Sequence, residues 1–117
     1  MRSDKENVIV NKTLDFSEAI VGFCEELERR KKYVVSHQLL KCGTSIGANV
    51  FEAQNAESKA DFIHKMKISA KEATETKYWW MLCNRCGSYP YEEQIMNQLN
   101  EIIRILSSII ATSKANA

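Results

Sequence analysis

Turn-forming residues are scarce in this sequence, with one Pro and four Gly among 117 residues. So few chain breakers exclude a sandwich or barrel of many short strands, which depends on them at every turn. Long apolar runs are also missing: no uncharged stretch approaches the roughly 20 residues that cross a bilayer. The opening residues Met1–Glu6 carry both signs of charge, with no apolar segment behind them of signal-peptide length. The expectation is a cytoplasmic protein with no membrane association. A charge excess is absent as well, since 16 Lys and Arg face 15 Asp and Glu for a net +1. Bulk electrostatics therefore predict no preference for a polyanion.

Metal and redox motifs are missing in substance if not in form. Cys83 and Cys86 make a CxxC, but they fall at the end of a helical pattern, and the redox motif needs a strand before it and a helix after it. A zinc site would require two more ligands, and only His37 and His64 remain, without finger-like spacing. No metal or cofactor is expected, and the four cysteines are expected to be reduced thiols. There is no phosphate-binding Gly-rich loop and no elbow for a Ser or Cys nucleophile.

What is present is helical periodicity. With 44% hydrophobic and 26% charged residues, the chain reads as one compact domain over residues 1–117, large enough to bury a core. The first helix is expected from about Lys12 to Lys32, where Phe16, Ile20, Phe23 and Leu27 recur at the 3.6-residue period. Val8-Ile9-Val10 reads as a short strand or as the apolar lead-in to this helix; the lead-in is preferred because no second strand exists to pair with it. The second helix runs from about Val34 to Asn55, with Leu39, Gly43, Ile46, Val50 and Ala53 on one face. Its two glycines, four residues apart, predict close approach of a neighbouring element.

The third helix opens at Ser58 with a capping-box-like Ser58-Lys59-Ala60-Asp61 and carries Phe62, Met66, Ser69, Ala73, Thr76, Trp80 and Cys83 in heptad spacing. Gly87 is expected just past its end. Ser88 or Tyr89, with Pro90 in the first turn, is expected to start a fourth helix that runs to about Ser113. There Ile95, Leu99, Ile102, Leu106 and Ile109 form the core stripe, and Met96, Ile103 and Ile110 a second stripe beside it. An apolar face wider than one bundle core needs favours contact with another subunit. The fold class predicted is all-α, an up-down-up-down four-helix bundle. The last residues, 114–117, are expected to fray.

The middle of the chain resembles a known family. Gln38-Leu-Leu-Lys-Cys-Gly-Thr-Ser-Ile-Gly-Ala-Asn-Val-Phe-Glu-Ala53, Ser58-Lys-Ala-Asp-Phe62, Ile68-Ser-Ala-Lys-Glu-Ala73 and Glu75-Thr-Lys-Tyr-Trp-Trp80 are similar to the four-helix-bundle proteins encoded in 23S rRNA intervening sequences. Lys41, Cys42 and Phe51 depart mildly from that pattern. The resemblance implies a bundle that assembles as a ring-like homo-oligomer, commonly a pentamer, with no established catalytic residues. Some relatives look like accessory proteins of retroelements, strongly basic and associated with nucleic acid, a basic excess that this chain lacks.

Three constellations are candidates for function. Ser45, Asn49 and Glu52 share a flank of the second helix, read as a structural polar track rather than an acid–base pair, since no His or Cys accompanies them. Trp79 lies 100° from Trp80 and faces sideways near Ile68; with Met96, Ile103 and Ile110 it is a candidate oligomer interface. Lys67, Lys71 and Arg85 lie on the outer side of the third helix, in a segment (residues 58–90) with six bases and three acids, and are candidate nucleic-acid contacts. The leading expectation is a non-enzymatic homo-oligomeric scaffold; the alternative is a weak nucleic-acid-binding accessory protein acting through Lys67, Lys71 and Arg85.

Overall fold

The computed structural model describes residues 4–116, with side chains from residue 8 onward. Residues 1–3 of the charged opening segment and the terminal Ala117 lie outside the described residues. Four helices account for the described fold: α1 (Asp4–Arg29), α2 (Tyr33–Ala53), α3 (Lys59–Arg85) and α4 (Glu93–Ala115). No strand occurs among the described residues. Helix α1 packs on α2, α2 on α3, α3 on α4 and α4 back on α1, while across the diagonal Phe23 of α1 meets Trp80 of α3 with ring centroids 4.3 Å apart. That is the closed square of a four-helix bundle, 47 Å long and about 20 Å across.

Cross-helix contacts give the directions. Gly43 meets Ile20 and Gly47 meets Thr13; Ser69 bonds Ile46 and Lys65 pairs with Glu52; Lys59 bonds Asn116 and Trp80 stacks near Tyr91. In each pair of helices one residue number rises as the other falls, so consecutive helices are antiparallel and the topology is up-down-up-down. The expected stripes form one core. Phe16, Ile20, Phe23, Leu27, Leu39, Ile46, Val50, Met66, Trp80, Leu99, Ile102 and Leu106 are all at most 3% exposed.

The boundaries differ from the periodicity reading in four places. Helix α1 begins at Asp4 rather than Lys12, because Ile9 sits seven residues before Phe16 and is fully buried on the same stripe. The lead-in residues are thus the first turns of the helix. At its other end α1 stops at Arg29, not Lys32. Lys32 N–H donates to the Leu27 carbonyl and Lys31 N–H to that of Glu28, and Lys31 takes φ 62°. This is a Schellman ending with a lysine where glycine is normal. Lys31→Gly should relieve the left-handed strain and raise stability by about 0.5–1 kcal/mol, net of the added chain entropy. A rise of a few degrees in the melting temperature checks this, and a fall would contradict it.

Gly87 falls just past the end of α3, as expected: the helix ends at Arg85 and its cap residue Cys86 is extended (φ −89°, ψ 110°), although Gly87 does not take positive φ. The third difference is at Pro90, which lies before α4 rather than in its first turn; the helix starts at Glu93, with Glu92 in the cap position making no side-chain cap bond. Tertiary anchoring explains the delay. Tyr91 rests on Trp80 with ring centroids 5.4 Å apart, and Tyr89 carries the Lys32 ammonium 4.8 Å over its ring. The start of α3 follows expectation: the Ser58 hydroxyl accepts from Asp61 N–H, and the Asp61 carboxylate accepts from Glu57 N–H one residue before the cap. The fourth difference is at the far end, where α4 extends through Ala115 rather than Ser113, so that Lys114 and Ala115, expected to fray, are helical.

Candidate functional site

Each pair of adjacent helices leaves an outer groove, and side-chain position around each helix decides what lines it. Between α2 and α3 lies the polar track. The Ser45 hydroxyl donates to the Lys41 carbonyl (2.7 Å) and the Asn49 amide to the Ser45 carbonyl (2.8 Å), one turn back on the same helix. Glu52 reaches across to Lys65, 3.7 Å away and partly exposed. The three side chains are thus satisfied by backbone and by one weak ion pair, and among the described residues no hydrogen bond links one to the next. Trp79 borders the same groove, half-buried, its indole N–H donating to Glu75 and its ring edge-on to Tyr78. Ile68 is also half-buried there.

Between α3 and α4, the second apolar stripe is partly consumed inside the protomer. Met96, Ile103 and Ile110 are half-buried and pack against the core cluster alongside Ala70. The three basic candidates stand further out on α3. Lys67, Lys71 and Arg85 are exposed, and none belongs to the ion pairs of the described residues. Lys67 crowds Lys114: side-chain contact and like charge hold Lys114 below the usual lysine range.

Between α1 and α2 lies a groove that the sequence reading missed. It has a volume of about 450 Å³ and is lined by residues such as Thr13, Ser17, Thr44, Gly47 and Ala48, none of them ionisable. Gly47 makes it possible: a Cβ there would stand 3.2 Å from Thr13 Cβ and 3.3 Å from the Thr13 carbonyl oxygen. Leu14 and Phe51 stand on its walls, each 67% exposed. The signal was available. The count of apolar positions beyond the core stripe, applied above to α4 alone, also selects Val10, Leu14 and Val21 on α1 and Leu40 and Phe51 on α2.

The cysteines do not converge on a site. Cys24, Cys42 and Cys83 are buried and Cys86 is half-buried. Burial pushes the Cys24 and Cys83 thiols up to about 11, and raises that of Cys42. Such thiols are poor nucleophiles and poor metal ligands at neutral pH. No cluster of three potential ligands occurs among the described residues, and no helix among them is long and apolar enough to cross a membrane.

Fold and grooves together define an antiparallel four-helix bundle with an apolar, uncharged groove between α1 and α2. The chain belongs to the 23S rRNA-intervening sequence protein family, whose profile matches residues 5–108. It is also similar to a solved structure described as a protein of unknown function from the S23 ribosomal protein family of Bacteroides thetaiotaomicron VPI-5482. The two are 45% identical, with a TM-score of 0.87 over 92% of this chain and 98% of that one. No curated protein matches the chain.

Proposed function

We infer that this protein is a non-enzymatic, self-assembling helical scaffold of the cytoplasm, a single domain that forms a ring-like homo-oligomer. The observation that carries this reading is the α1/α2 groove, an apolar cleft with a volume of about 450 Å³ walled by two large, exposed side chains. Contiguous exposed apolar surface of that kind marks association sites more often than catalytic ones. A catalytic cleft needs convergent titratable groups, and this groove offers none. Family resemblance supplies the ring and its common pentameric count. Ser45, Asn49 and Glu52 are read as structural, tying successive turns of α2 to each other and α2 to α3. Sedimentation at micromolar concentration should show a species several times 13.4 kDa. A clean monomer would sink the reading.

A second reading, nucleic-acid binding through Lys67, Lys71 and Arg85, draws on their exposure and lack of ion-pair partners. Three phosphates neutralised per protomer would give weak binding that falls steeply with salt.

A further inference from the structure

This inference rests on the self-assembly reading and concerns which surfaces meet. Apart from Val8, Tyr33 and Val34, the large apolar side chains left exposed among the described residues form two sets. Leu14 and Phe51 wall the α1/α2 groove, with Val21 (41%) and Leu40 (38%) further along the same two helices; Tyr78 (63%) and Met81 (47%) stand on the outer side of α3. On balance the charges beside them are opposite in sign. At 100° per residue, Glu18, Glu25 and Glu28 share the sector of α1 that bears Leu14 and Val21, against Lys41 beside Leu40 on α2. Lys67, Lys71 and Arg85 share the sector of α3 that bears Tyr78 and Met81, against Glu75 at its margin.

We propose that the α1/α2 groove of one protomer receives the outer face of α3 from a second copy of this chain. Exposure supports a protein occupant. Leu14 and Phe51 are each 67% exposed, and Val21 and Leu40 continue the apolar strip along the same two helices. A standard interface covers about 800 Å² per partner, so the strip would form the centre of such a contact and the charged residues beside it the rim. Shape supports it as well. Thr44, Gly47 and Ala48 keep the groove open, and Tyr78 is a rigid aromatic of the kind that anchors interfaces. Pairing two grooves face to face would leave Tyr78 and Met81 in water. Stacking α1 on α1 would also set glutamates against glutamates. A groove that accepts a different face makes a head-to-tail contact, the kind that generates a ring when its rotation closes.

Two substitutions at exposed positions test this without touching the core. Phe51→Glu spoils the groove and Tyr78→Glu spoils the inserting face; circular dichroism and thermal melting confirm that each variant is folded. Each alone should sediment at 13.4 kDa. Mixed in equal amounts they should form a species of twice that mass, because one keeps an intact α3 face and the other an intact groove. Raising salt should weaken the wild-type assembly through loss of the Glu–Lys attraction across the contact.

If either variant keeps the wild-type mass, the proposed contact is wrong while self-assembly stands; dispersal by Trp79→Glu instead would move the contact to the α2/α3 groove. If Lys67→Glu/Lys71→Glu keeps its mass but abolishes retention of a single-stranded RNA oligonucleotide, the α3 face serves nucleic acid and the proposal is overturned. A monomeric wild type would remove the assembly reading itself.

Discussion

Trp80→Ala should destabilise the protein by about 3–5 kcal/mol, the range for emptying a buried aromatic site. Trp80 is fully buried, with its ring 4.3 Å from Phe23 of α1 and 5.4 Å from Tyr91 ahead of α4. It therefore joins three segments of the chain, and its removal leaves a void between them. Against the roughly 5–15 kcal/mol typical of a whole domain, the loss should lower the melting temperature by roughly 10–20 °C. Trp80→Phe should cost much less. It keeps the ring contact with Phe23 and removes an indole N–H that is buried with no hydrogen-bond acceptor. Urea unfolding of both variants measures the two effects; equal losses would mean that the ring contacts are not what matters.

Stability should fall between about pH 9 and pH 11. Thiols ionise near 9.0 in the unfolded chain, whereas burial lifts Cys24 and Cys83 to about 11 in the folded one. Over that interval the unfolded state sheds protons that the folded state keeps, so each unit of pH favours unfolding. Two units correspond to about 2–3 kcal/mol per thiol, and Cys42 shifts in the same direction. Below pH 9 both states hold their protons and the contribution is constant. The urea midpoint should therefore be flat with respect to these groups at neutral pH and drop on the alkaline side. Cys83→Ala should flatten the drop, which separates the thiols from lysine and tyrosine titration. An unchanged alkaline slope in that variant would count against the assignment.

The core was legible because its signal is redundant. Each core stripe repeats over four or more positions, so Ile95 through Ile109 or Met66 through Cys83 survive an ambiguous residue. Helix ends rest on one or two residues, and there tertiary contacts decide. The packing of Tyr91 on Trp80 outweighs the preference of Pro90 for a first turn, and Lys31 takes a left-handed conformation because the chain must reverse within three residues. The second stripe of α4 was correctly seen as apolar, yet a sequence does not show how far a neighbouring helix will cover it; α3 half-buries Met96, Ile103 and Ile110. The groove escaped notice for the converse reason. Thr13 and Thr44 look unremarkable one at a time, and the glycine pair predicts a close neighbour without saying which; only the pairing of α1 with α2 joins them into a single surface.

The short distance between Gly47 and Thr13 carries a thermodynamic consequence. The atoms that hold α1 against α2 are also the floor on which a docking neighbour would rest. Any molecule seated there binds only a chain in which the two helices are already together, and it has nothing to hold once they part. Its binding free energy is then added to the free energy of unfolding in proportion to the logarithm of its concentration. Resistance to denaturation becomes a collective property, highest where the chain is abundant and lowest in dilute solution.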